Sequence, residues 1–291
     1  MRTDKAELFR FVMKKCAFFL LWGVVLLPFC FTTTGCNDRR TVVDDSLSMA
    51  VDSDSIAEAE EQAVMPKGAD ELFDDFFFNF AGNKRLQFQR IQFPLPVYEN
   101  GEKVKQVEKR QWEMEYFFMK DGYYTLVFDN AEQMEIVNDT SVVHVVLEKI
   151  FLDDKNVMQY VFDNVDGKWM MTSIHTNEMY QNTNASFLDF YQKFATDSAF
   201  QAQSINEFVT FTAPDPDDDF STITGTITPE QWPMFKPGLI PEGVIYNVIY
   251  GQQYVSDSQK FFVVRGVANG LEIQMTFRRK GLNWKLVKFN Y

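Results

Sequence analysis

The sequence predicts an α+β protein in which a helix laid on a curved antiparallel sheet occurs twice in tandem. Three observations predict it. An aromatic stripe at helical spacing, Phe73, Phe76, Phe77 and Phe80, returns 114 residues later as Phe187, Phe190, Tyr191 and Phe194. After each stripe come alternating or apolar runs punctuated by turn signals, Asp166-Gly167 in one half and Asn269-Gly270 in the other. The tryptophans beyond the first 36 residues divide two per half at equivalent places: Trp112 with Trp232, and Trp169 with Trp284.

The chain begins with another kind of segment. Residues 1–15 carry five basic and two acidic side chains, and residues 16–31 (CAFFLLWGVVLLPFCF) are almost wholly apolar. Thr32-Thr33-Thr34-Gly35-Cys36 follows. A basic start, a short apolar run and small residues before a cut form the secretory pattern. The apolar run is short against the ~20 residues of a membrane span. Gly35-Cys36 resembles the lipobox of bacterial lipoproteins, with Thr33 standing where that family usually has leucine. The resemblance implies cleavage of residues 1–35, acylation of Cys36, and a lipid-anchored place in the bacterial cell envelope, at the outer membrane. Cys16 and Cys30 would leave with the signal, so the mature chain would have no thiol for a disulfide, a nucleophile or a metal.

Residues 36–68 read as an acidic tether. From Asn37 to Gly68 there is no Phe, Tyr or Trp, so the stretch has too little apolar surface to offset ordering entropy. Asp45-Ser46-Leu47 and Asp54-Ser55-Ile56 are similar to the Asp-Ser/Thr-apolar sequon of O-glycosylation in Bacteroidota, which marks Ser46 and Ser55 as candidates; chance in an Asp/Ser-rich tract is the plainer account.

The first half, 69–180, opens with a helix over 70–81, Asp70 its N-cap. A short helical turn and a strand at 89–95 follow. Residues 97–108 make a hairpin, Gln111-Trp112 lies on a helix, and strands occupy 123–128, 141–152, 156–165 and 168–175. The second half, 181–291, repeats this order. A helix covers 184–195, a strand 204–212, and Thr228-Pro229-Glu230 starts the helix carrying Gln231-Trp232. Strands occupy 243–252, 259–267, 271–279 and 283–290. Asp215-Pro216-Asp217-Asp218-Asp219 replaces the hairpin of the first half. The offsets of the matched pairs stay between 114 and 121 (Leu86 with Phe200, Gln89 with Gln203, Ile91 with Ile205, Gly122 with Gly243), which argues for duplication.

Helix, short helix, strand, helix and antiparallel meander resembles the nuclear transport factor 2-like cone, in which a curved sheet wraps a helix. Two such units behind a lipoprotein signal are similar to a family of Bacteroidota lipoproteins of unknown function. A cystatin-like helix-on-sheet fold is the nearest alternative.

The composition excludes some functions. With 41 acidic against 28 basic residues the net charge is −13, unlike the basic face that nucleic-acid phosphates require. Removing a segment of net charge +3 takes the mature chain to −16 by side chains. The sequence has no Gly-rich phosphate loop, nucleophile elbow or zinc motif, so no cofactor is expected. The aspartates of 215–219 lack the ligand spacing of a calcium loop and read as a solvated turn. Catalysis in the first cone would fall to His144 and Asp163, His144 as general base or proton shuttle. His144 reads more simply as an outward polar residue between Val143 and Val145, and His175 as a surface residue closing a strand. Two readings follow: a non-catalytic envelope lipoprotein that binds a ligand or partner protein, and a small-molecule enzyme using the first cone. A deep pocket holding His144 beside a carboxylate favours the enzyme; cones filled by Phe, Met and Trp favour the binder.

Overall fold

The structure, a computed structural model, describes residues 70–215 and 217–291. The described residues all belong to one compact unit. The predicted lipid site Cys36, the tether, and the candidate glycosylation sites Ser46 and Ser55 lie outside the described residues.

The first half contains helices α1 (Phe73–Gly82) and α2 (Lys84–Arg90), and strands β1 (Leu95–Glu99), β2 (Glu102–Val107), β3 (Tyr123–Phe128), β4 (His144–Phe151), β5 (Asn156–Val165) and β6 (Lys168–Glu178). The second contains α3 (Ala185–Thr196), α4 (Ser198–Gln203), β7 (Ile205–Asp215), β8 (Asp218–Ile227), α5 (Trp232–Phe235), β9 (Val244–Ile249), β10 (Gln259–Gly266), β11 (Glu272–Lys280) and β12 (Asn283–Asn290). The fold is α+β, dominated by sheet, and the aromatic helices stand where their periodicity places them.

The twelve strands of the described residues join one sheet in the order β2-β1-β6-β5-β4-β9-β3-β10-β11-β12-β7-β8. Exchanging each strand with the one six places on reverses this order onto itself. The central strands β3 and β9 are parallel, so the pseudo-twofold runs along the strands and exchanges the faces of the sheet. Side chains confirm it, because successive residues of a strand point to opposite faces. Leu126, Tyr246 and Val263 belong to the core under α1, whereas Val127, Ile245 and Phe262 belong to the core under α3. Each half is completed by the other: β4 pairs with β9, and β10 with β3.

Several local expectations differ from the structure. The 89–95 strand is instead the end of α2 followed by a single parallel bridge, Ile91 to Met171. The second half keeps its hairpin rather than replacing it: β7 and β8 pair from Val209–Ile227 to Asp215–Asp218. At its tip the aspartates hold the turn's own backbone, Asp215 Oδ1 accepting from Asp217 N at 2.9 Å and Asp218 Oδ1 from Phe220 N at 3.0 Å. Asp70 does not cap α1. Its carboxylate binds Arg90 in bidentate fashion at 2.7 and 2.8 Å, and an arginine fork competes better for a carboxylate than one backbone N–H. Where the sequence predicts a tight turn at Asp166-Gly167, both residues take positive φ (51° and 76°), the requirement of a two-residue hairpin.

Candidate functional site

The interior of each half is filled by its own stripe. Under α1, Phe76 and Phe80 are fully buried and meet Phe162 edge-on at 6.2 and 5.5 Å. Phe73 meets the Trp169 indole at 5.1 Å. Under α3, Phe187 meets Trp284 at 5.5 Å and Phe194 meets Phe277 at 5.1 Å. Edge-to-face pairs at these separations are favourable beyond their buried area. The space between helix and sheet is occupied by the chain's own rings.

His144 and Asp163 are brought together. They are cross-strand neighbours on β4 and β5, and His144 Nδ1 lies 2.7 Å from Asp163 Oδ1. Thr172 Oγ1 donates to the other carboxylate oxygen at 2.6 Å. A carboxylate orienting an imidazole is the arrangement general-base chemistry uses. Here it stands on the outer surface, with side chains 51% and 38% exposed, and lines neither hollow described below. His175 differs from its expected place. It lies inside β6, which runs on to Glu178, and is half-buried, stacked on Tyr98 at 4.6 Å and hydrogen-bonded through Nε2 to Ser173 Oγ at 2.9 Å. Burial holds its imidazole below its ordinary range.

A second cluster was not legible in the sequence. Glu148, in the middle of β4, is 1% exposed. Its Oε1 accepts from Gln159 Nε2 at 3.0 Å and Asn182 Nδ2 at 2.7 Å, and its Oε2 from Asn247 Nδ2 at 3.0 Å. Burial raises the carboxyl above the usual range, against these three donors. The carbonyl oxygens of Asn184 and Asn247, both buried, have no partner among the described residues. The cluster is sealed from solvent and offers a substrate no approach. Its counterpart across the pseudo-twofold is the apolar pair Leu126 and Val263, so the fold does not demand polarity there.

Among the hollows on the surface of the described residues, two stand out. One, of about 620 Å³, is a shallow concavity along 130–139 rimmed by Glu132, Glu135 and Asp139. The other, about 330 Å³, lies between α3, α4 and the β11–β12 turn and is floored by Phe190 and Trp284. Among the described residues no group of three or more His, Cys, Asp or Glu is arranged to hold a metal ion, and no helix is long and apolar enough to cross a membrane.

Residues 52–291 match the model of a domain of unknown function, DUF4348. Among solved structures, an NTF2-like protein from Bacteroides fragilis is similar with a TM-score of 0.72 at 39% sequence identity, over 78% of this chain and 98% of that one. No curated protein matches the chain.

Proposed function

The chain belongs to the DUF4348 family, and on that premise we propose that it is a non-catalytic binding protein, lipid-anchored through Cys36 in a bacterial cell envelope and duplicated into two cone-like halves. The observation that carries the non-catalytic part is the filling of both interiors by Phe, Tyr and Trp, with the His144–Asp163 pair left outside on the solvent face. General-base catalysis gains from a site that positions substrate and excludes water. An exposed dyad on a sheet face does neither. The Gly35-Cys36 ending and the acidic tether support the anchor, since several acyl chains on one cysteine hold a protein stably to a bilayer. Two occupants suit the role, a small molecule and a partner protein, and the surface hollows favour the small molecule.

One experiment addresses both parts. The full chain is expressed in a bacterium fed an alkyne fatty acid, then detergent-extracted and incubated with a small-metabolite extract under ligand-observed NMR. The wild type is expected to carry the fatty acid and Cys36→Ala to lose it. Some metabolite signals should broaden without changing chemically, equally in His144→Ala. Turnover that vanishes in His144→Ala would overturn the non-catalytic reading, and an unlabelled, soluble wild type would overturn the anchor.

A further inference from the structure

We propose that the hollow beside Trp284 binds a small organic anion, a carboxylate on an apolar body; this rests on the binding role above and names its ligand class. The duplication supplies an internal comparison. The parallel bridge from Ile91 to Met171 in the first half corresponds to the pair Ile205–Leu286 in the second. The residue before the bridge is Arg90 in one half and Ser204 in the other. Arg90 fills its site. Its guanidinium lies 5.6 Å from the centre of the Phe76 ring, donates to Trp169 O at 3.2 Å and forks onto Asp70. Ser204 ends at a hydroxyl that donates to Phe200 O at 2.7 Å. Phe190 and Trp284, the counterparts of Phe76 and Trp169, remain as the walls of an open space of about 330 Å³. That volume is near the lower bound of about 300 Å³ for small-molecule sites.

Charge selects the ligand. The rim carries Lys193, Lys285 and Asp189. Asp189 is engaged by Lys155 at 2.5 Å, so its charge is already answered. Lys285 turns its ammonium to the carbonyl of Gln203, and Lys193 pairs with no carboxylate among the described residues. The rim is therefore cationic in a chain of net charge −13. A cationic ligand repeating the Arg90 contact would meet two lysines and find no free acid in the place of Asp70. A carboxylate meets the lysines, while Phe190, Phe200 and Trp284 take an apolar body.

The test titrates the detergent-solubilised full chain with 4-phenylbutyrate, its uncharged amide and 4-phenylbutylamine, read by heat and by ¹H–¹⁵N shifts of the tryptophan indoles. The carboxylate is expected to bind with a Kd on the order of 1 mM, and the amide about tenfold more weakly. The amine should not bind. Lys193→Ala, a surface change, should weaken the carboxylate about tenfold, and Ser204→Arg, which restores the plug of the first half, should abolish binding. Should S204R misfold, K193A decides. Equal binding of acid and amide, or preference for the amine, overturns the anion while leaving a binding protein in place. Carboxylate binding that survives both variants overturns the location. No binding of any probe overturns the site, whereas metabolite binding in the extract experiment would still stand.

Discussion

At the scale of single residues, the buried carboxyls show how differently one group can be accommodated. Asp129 is neutralised by Lys260 at 2.5 Å, both side chains 1% exposed, and also accepts from the backbone of Val255 and Ser256. Asp74, only half-buried, meets the hydroxyls of Tyr250 and Tyr124. Glu148 has only amides. Because burial raises its folded-state carboxyl above the unfolded value, the folded state holds that proton more tightly. Its stability is therefore complete below the unfolded pKa and falls as pH rises through the raised folded one. Glu148→Gln removes this loss, and Asn247 can turn its amide so that the unpartnered Oδ1 receives the new Nε2–H. The variant should match wild type in melting temperature near pH 4 and exceed it increasingly toward pH 8. A difference independent of pH would show that Glu148 does not titrate between the two states. None of this was legible in the chain itself. No local signal in 145–152 marks Glu148 as buried, and its burial comes from Asn182, Asn184 and Tyr254, brought over that face from far along the sequence.

Whole elements were more legible, for a physical reason. Periodicity writes itself along the chain: the strands at 123–128, 156–165 and 283–290 have the ends the alternation predicts, and both aromatic helices lie within three residues of theirs. The repeated Gln-Trp pair proves to be a built device. Gln111 accepts from Glu108 N at 2.8 Å and Gln231 from Thr228 N at 3.1 Å, each closing its turn. The indoles of Trp112 and Trp232 then donate to Gln87 at 3.1 Å and Gln201 at 2.9 Å. Gln201 also donates to Phe194 O, so one buried amide ties α3, α4 and α5 together. Gln201→Leu would leave both the indole N–H and that carbonyl unpaired, at a cost of about 1–3 kcal/mol. The shift of the urea midpoint measures it, and an unchanged midpoint would mean that solvent replaces the amide freely. What periodicity did not reveal was where helix yields to strand near residue 90. Gln87 and Arg90 are committed there to tertiary partners, Glu115 and Asp70, that no local pattern records.

At the scale of the whole molecule, the repeated order of elements was readable and the exchange of strands was not, because a repeat in sequence fixes what each half contains but not whose strand pairs with whose. The seam itself is slight: β3 and β9 share a single paired position, Thr125 with Asn247. The hold comes from crossing it. β9 makes six paired positions with β4, and β3 six with β10. Tyr246, Val248 and Tyr250 of the second half are buried in the core of the first, while Val127, Ile150, Leu152 and Val157 of the first are buried in the core of the second. At about 1.5–3 kcal/mol for each fully buried apolar side chain, the three donated by β9 and the residue that follows it amount to about 5–9 kcal/mol, comparable with the ~5–15 kcal/mol that holds a domain folded. A fragment ending at residue 180 also leaves the β4 edge unpaired. Residues 69–180 and 181–291 expressed separately should therefore show no cooperative thermal transition, while their mixture should regain one as a 1:1 complex. The intact chain should melt in a single step whose calorimetric and van't Hoff enthalpies agree. A cooperative transition with native-like circular dichroism from 69–180 alone would mean that β9 only decorates the first half, and that the shared sheet is an interface between two self-sufficient folds.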